Sequence, residues 1–162
     1  MGHFNLSEKL YGGVFALLSV GFIGGSQLNH ILTKKFSNQQ ILKAALQVQV
    51  LVAILFLAGS IQQWYGLAAV LVLLFILLFC CGVTYPNAAA LCMAPFAKNA
   101  GTASALLGFI QIGIGGFISA SVAMLPLPPI TAMAAIMTVT VLIALVILLS
   151  AKKVLRTNKH MF

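Results

Sequence analysis

Residues 86–108 read PNAAALCMAPFAKNAGTASALLG. On either side the chain is mostly Leu, Val, Ile, Ala and Phe, and here that apolar run is broken by Pro86, Asn87, Pro95, Lys98 and Asn99 before it resumes through small residues. What such a break means depends on the solvent the chain is built for. Of 162 residues, 62% are hydrophobic and 6% charged, where a soluble domain carries about 25% charged residues. So few charges cannot cover the surface of a small soluble fold, and the medium is therefore a lipid bilayer. The break then lies at a membrane surface, between two spans.

The charge balance agrees. Nine Lys and Arg stand against a single acid, Glu8, for a net charge of +8. Nucleic-acid binders gather their bases on one polar face. Here the bases fall in short gaps between apolar runs, which excludes nucleic acid as a partner and suits loops facing anionic head groups. Cys80, Cys81 and Cys92 have neither a disulfide nor a metal-site spacing and read as small apolar fillers. Asn5-Leu6-Ser7 matches a glycosylation acceptor by chance. The first apolar run is no signal peptide: Glu8 cancels Lys9, and no A-x-A-like site follows.

A spanning helix needs ~20 mostly apolar residues. Five stretches qualify: 11–32, 41–60, 65–90, 102–125 and 130–150. They predict an all-α integral membrane protein, with an external tail at 1–10, a five-helix bundle over 11–150 and a basic cytoplasmic tail at 151–162. Lys34, Lys35 and Lys43 flank the first gap, Lys98 lies in the third, and Lys152, Lys153, Arg156 and Lys159 follow the last span. All bases but Lys9 thus fall on one side. That side should be the cytoplasm, which puts the N-terminus outside and the C-terminus inside. Trp64 and Tyr65 suit the outer interface.

The spans differ in kind. Span one carries Gly21 and Gly25, and span four carries Gly101, Ser104 and Gly108, small residues that let helix backbones approach closely in lipid. Both spans are expected to be buried among other helices, while the uniformly apolar span five faces lipid on most sides. Polar side chains within spans need a partner or a cavity. Gln111, mid-way along span four, suits an interhelical bond or a cavity wall equally. Gln47 and Gln49 suit packing or the interface, and His30 the interface. No catalytic constellation, metal set or phosphate loop is visible, so neither an enzyme nor a cofactor is expected.

Within the opening stretch, Pro86 should kink the end of span three, with Asn87 bonding freed carbonyls or lining an opening. Pro95 ends the helix, Lys98 marks the inner face, and Asn99 or Thr102 caps span four. The expectation is a tight cytoplasmic hairpin between two closely packed helices.

Pro86 to Leu91, Ala94-Pro95-Phe96 and Ala100 to Gly108 together resemble the segment joining the tenth and eleventh helices of Bcr/CflA-type drug-efflux proteins of the major facilitator superfamily. Tyr11 to Leu17 and Gly24 to Asn29 resemble the eighth helix, and Lys34-Lys35-Phe36 the basic loop after it. The resemblance covers nearly the whole chain. It implies helices eight to twelve of a proton-coupled multidrug antiporter in a bacterial inner membrane, exporting small amphipathic drugs. It also implies that spans one, three and four line the substrate path and that spans two and five are peripheral. Gln111, Gln27 and Asn87 are the candidates for that path, while Gly21, Gly25, Pro86, Pro95, Gly101, Ser104 and Gly108 are the candidates for packing and the hairpin. The first half of such a transporter, with its proton-coupling acid, has no counterpart here, so transport by this chain alone is not expected. The rival reading is a small, self-associating membrane protein with a structural or regulatory role.

Reporter fusions test the orientation. A fusion after Phe162 should report the cytoplasm and one within 126–129 the outside. An external Phe162 would refute both the five-span count and the resemblance.

Overall fold

The computed structural model describes the backbone of residues 8–62, 66–124 and 126–158, with side chains described within 10–150. Trp64, Tyr65, residues 1–7 of the expected 1–10 tail and the basic side chains of the C-terminal tail lie outside the described residues. The order is α1 (Glu8–Leu32), α2 (Asn38–Ile61), α3 (Leu67–Met93), a 3-10 segment (Ala94–Asn99), α4 (Ala100–Met124) and α5 (Pro129–Asn158). No strand occurs among the described residues. By length and apolarity four stretches are able to cross a membrane: 10–32, 38–61, 129–150 and a 56-residue run, Leu67–Val122, that passes through the 3-10 segment. The chain is thus an all-helical protein of multi-pass membrane character.

Local chemistry sets the helix ends. α2 begins before its apolar run because Ser37 and Gln40 form a capping box. The Gln40 amide donates to Ser37 Oγ (3.4 Å), and the Ser37 amide donates to Gln40 Oε1 (3.1 Å). α3 runs through Pro86 and stops at Met93, just before the Ala94-Pro95 step into the 3-10 segment, where Pro95 was expected to end it. No side-chain cap separates that segment from α4, so neither Asn99 nor Thr102 acts as an N-cap. Its residues are nearly helical already, apart from Phe96 at φ −106°, ψ 25°.

α2 is the centre of the bundle. Its buried residues Leu42, Leu46, Gln49, Ala53, Phe56 and Ser60 are spaced four and three apart along one stripe, and Ile41, Val52 and Gly59 widen it. α3 packs against it through Val70 and Leu77, and α5 through Ala134, around Val52, Ala53 and the fully enclosed Phe56. The small and β-branched residues of span two let two neighbours in at once. Span five is largely uncovered, as expected, but along its first turns one face is docked, with Thr131, Ala132, Ala134 and Thr138 buried. Thr138 Oγ1 donates to Ala53 O (3.0 Å) and Thr131 Oγ1 to Ser60 O (3.3 Å). Pairing 131 with 60 and 138 with 53 makes α5 antiparallel to α2. Beyond Thr138 the face opens, and Val139, Ile143, Val146 and Ile147 are exposed.

α1 lies on the far side of α3. Gly21 faces Phe75, Gly25 faces Phe79, and Asn29 meets Asn87, so these two helices run parallel. A Cβ on Gly25 would collide with the backbone carbonyl of Phe79, and one on Gly82 with that of Phe22. The two backbones touch at both crossings. The layers are therefore α1, α3, α2 and α5, with α2 antiparallel to its neighbours.

α4 stands apart. It barely meets α3 or α5, and Phe109, Ile112 and Phe117 are each about three-quarters exposed. A Cβ on Gly101 or Gly108 would meet open space. The tight hairpin and the buried span four are thus not formed within this chain. Small residues permit close approach but provide little contact area of their own, and no described hydrogen bond ties α4 to α3.

Substitution should separate these glycines. Gly25→Leu or Gly82→Leu must force backbones apart, and each should cost at least the 1–3 kcal/mol typical of overpacking. Gly108→Leu should stay within about 0.5 kcal/mol, as at an open surface. Unfolding of the detergent-solubilised chain by dodecyl sulfate, followed by circular dichroism, measures all three. Equal costs at 25 and 108 would refute this packing.

Candidate functional site

Among the described residues α1 is buried at three positions, Gly21, Gly25 and Asn29. Each is four residues from the next, on one helix face. The two glycines bring α3 close enough for the short side chain of Asn29 to reach Asn87, which is 1% exposed. Asn87 Nδ2 donates to Asn29 Oδ1 and to Val83 O (2.7 Å). The second bond lies one residue beyond the Gly82 carbonyl, whose helical donor Pro86 lacks. A buried amide thus supports α3 where its backbone ladder is weakened, as polar side chains do in membrane helices.

The same arrangement leaves one group unsatisfied. Asn87 Oδ1 is fully buried, and no donor among the described residues reaches it. Turning the amide over would set its oxygen against both Val83 O and Asn29 Oδ1, so the two bonds hold it in place. An unpaired buried carbonyl costs on the order of 1–3 kcal/mol. One turn earlier on α3, Thr84 Oγ1 bonds Cys80 O (2.8 Å) and lies 3.4 Å from Gln49 Oε1 of α2. Polar groups from three helices therefore gather toward the ends of α1 and α3 that carry Lys34, Lys35 and Lys98. The arrangement can orient a donor or rearrange at a helix crossing. It holds no nucleophile paired with a base, and no metal-binding group of His, Cys, Asp and Glu forms among the described residues.

The three substrate-path candidates are not brought together. Asn87 is in the seam, Gln27 is exposed on α1, and Gln111 is exposed on the uncovered α4. No hydrogen bond joins any two of them. Of the packing set, Gly21 and Gly25 contact α3 and Pro86 is half-buried inside it. Pro95, Gly101 and Ser104 are exposed, with Ser104 Oγ donating to Gly101 O (2.9 Å). Gln49 is buried at the α2–α3 contact, whereas Gln47 and His30 are exposed. The sequence reading left Asn29 without its partner and did not single out Gly82, Thr131 or Thr138. The four-residue step from Gly21 through Gly25 to Asn29 was the available signal for the first, and the seven-residue step between the threonines for the last two.

Comparison with known proteins finds no match: no family model, no curated protein and no solved structure aligns with this chain.

A double-mutant cycle with Asn29→Ala and Asn87→Ala tests the seam. Interhelical bonds in membranes are worth about 0.6 kcal/mol on average and up to about 1.7, and the coupling should fall in that range. Strict additivity in a detergent unfolding titration would mean that the two amides do not meet.

Proposed function

We propose that this chain is part of a multi-pass membrane transporter, the C-terminal portion of a proton-coupled drug-efflux antiporter of the Bcr/CflA type that residues 86–108 resemble. The observation that carries this reading is the exposure of α4. It is an apolar helix with Gln111 mid-way, glycines along its length and three large side chains uncovered. A polar group in a span wants a partner or a water-filled cavity, and small residues suit close helix contact. Further helices packed on α4 would satisfy both and would turn Gln111 toward a cavity.

A five-span path fits the same reading. At 1.5 Å per residue, the 56-residue run 67–122 rises about 84 Å, nearly three times a ~30 Å hydrocarbon core. It must turn, and Phe96, beside Lys98, is the departure from helical backbone within it. α3 and α5 are both antiparallel to α2, so a chain crossing in each of them needs a return pass between them, which the 25 residues of α4 are long enough to make. The parallel ends of α1, α3 and α5 then share one side with every base but Lys9, the cytoplasmic side. Glu8, the single carboxylate, lies outside the spans, so proton coupling falls to a group supplied by other helices. The second reading, a self-associating membrane protein, draws on the same exposed α4, with another copy covering it.

Drug accumulation in cells deleted for their own efflux pumps tests the proposal. The chain alone should give no gradient-dependent export. Co-expression with the first seven helices of a transporter of this type should restore it, and Gln111→Ala should then lower it several-fold. Gradient-dependent export by the isolated chain would favour the self-associating reading.

A further inference from the structure

Between α2 and α3, where α1 leads into α2, lies an apolar groove of about 450 Å³. Phe36 and Gln40 stand at its mouth, Ala44 and Val48 form one wall, and Phe79 and Val83 form the other. From Gln40 to Val48 it descends about 12 Å along α2, from the level of the loop into the depth of the hydrocarbon core. It forms because the small Ala44 and Ala45 lie opposite the larger Ile76, Phe79 and Val83 of α3.

The mouth is charged in one sense. Leu32 and Phe36 both line the groove, and between them Lys34 and Lys35 are exposed. No ion pair engages either lysine among the described residues, and the chain's one acid, Glu8, is at the other end of α1. An apolar slot running along the bilayer normal, with two unpaired cations at its interfacial mouth, matches one kind of molecule on both counts. Acyl chains fill such a slot, and a phosphodiester answers the cations. A zwitterionic lipid fits the slot but not the charge, and a free phosphate fits the charge but not the slot.

We propose that this groove is a binding site for an anionic phospholipid, with one acyl chain against Ala44, Val48, Phe79 and Val83 and the head-group phosphate between Lys34 and Lys35. The site needs only the membrane character of the chain and is independent of the transport reading. A lipid held there bridges the α1–α2 turn and α3 and covers the α2–α3 contact that includes Cys80.

The full chain, reconstituted in dioleoylphosphatidylcholine vesicles carrying a trace of spin-labelled phosphatidylglycerol or spin-labelled phosphatidylcholine, provides the test. The motionally restricted fraction of each label in the electron spin resonance spectrum reads occupancy. Phosphatidylglycerol should be preferred by up to about thirtyfold, the order expected for two surface lysines. The double variant Lys34→Gln/Lys35→Gln should remove the preference. Ala44→Phe, at an exposed helix position, should remove it too by filling the slot with the lysines intact. Lys43→Gln, on the same side of the membrane but outside the groove, should leave it unchanged. Equal restriction of the two labels by the wild type would overturn the site. So would an Ala44→Phe variant that keeps the full preference, or a Lys43→Gln variant that loses as much as the double variant, since either result would reduce the effect to general surface charge.

Discussion

The contact between the backbones of α1 and α3 governs much of what surrounds it. In lipid no hydrophobic force draws two apolar helices together, so association rests on close packing and on polar groups that find partners. Gly25 and Gly82 allow that packing, each offering bare backbone to a carbonyl of the other helix. With the helices this close, Asn29 and Asn87 come within reach one to two turns further along. Their bond supports α3 beside Pro86, so a packing feature and a polar feature that look unrelated in the chain become one seam.

The other side of α3 is built differently. α2 meets α3 and α5 through a broad stripe of medium-sized apolar residues around Phe56, with no backbone collision to prevent. α5 is registered on α2 by two threonines that donate to its backbone carbonyls. Ala53 O is mid-helix and accepts through its second lone pair, while Ser60 O lies in the last turn of α2, where the helix itself supplies no donor. The bundle thus has one rigid, glycine-mediated contact and one more ordinary contact, and the open groove lies beside the second, toward the basic end.

α4 shows what close-packing potential means without a neighbour. Its glycines and serines equip it to lie against another helix, yet within this chain it touches little. Small residues permit an interface without specifying its partner, and the large side chains of α4 find no complementary surface on α3 or α5. The pattern that pointed to burial was physically sound, but it could not say which chain or which segment would do the covering.

Composition and apolar periodicity were enough to establish from sequence that the chain is helical, that it is of membrane character and roughly where its helices lie, because a bilayer demands ~20 apolar residues per crossing and internal satisfaction of every backbone group. The break at 86–108 was legible for the same reason, although α3 continues through Pro86 to Met93 and the departure from helical backbone falls at Phe96, in the segment that follows. Gly21 and Gly25 could be picked out as a packing face because their spacing is local. Only the tertiary structure decided that Gly82 meets that face, that Asn87 is a buried partner of Asn29, that α2 is the centre and that α5 docks by its threonines. Those facts depend on which face of one helix meets which face of another. Helix periodicity constrains that choice weakly when apolar residues occur all round, as they do on α2 and α3, since lipid and protein interior then favour nearly the same side chains.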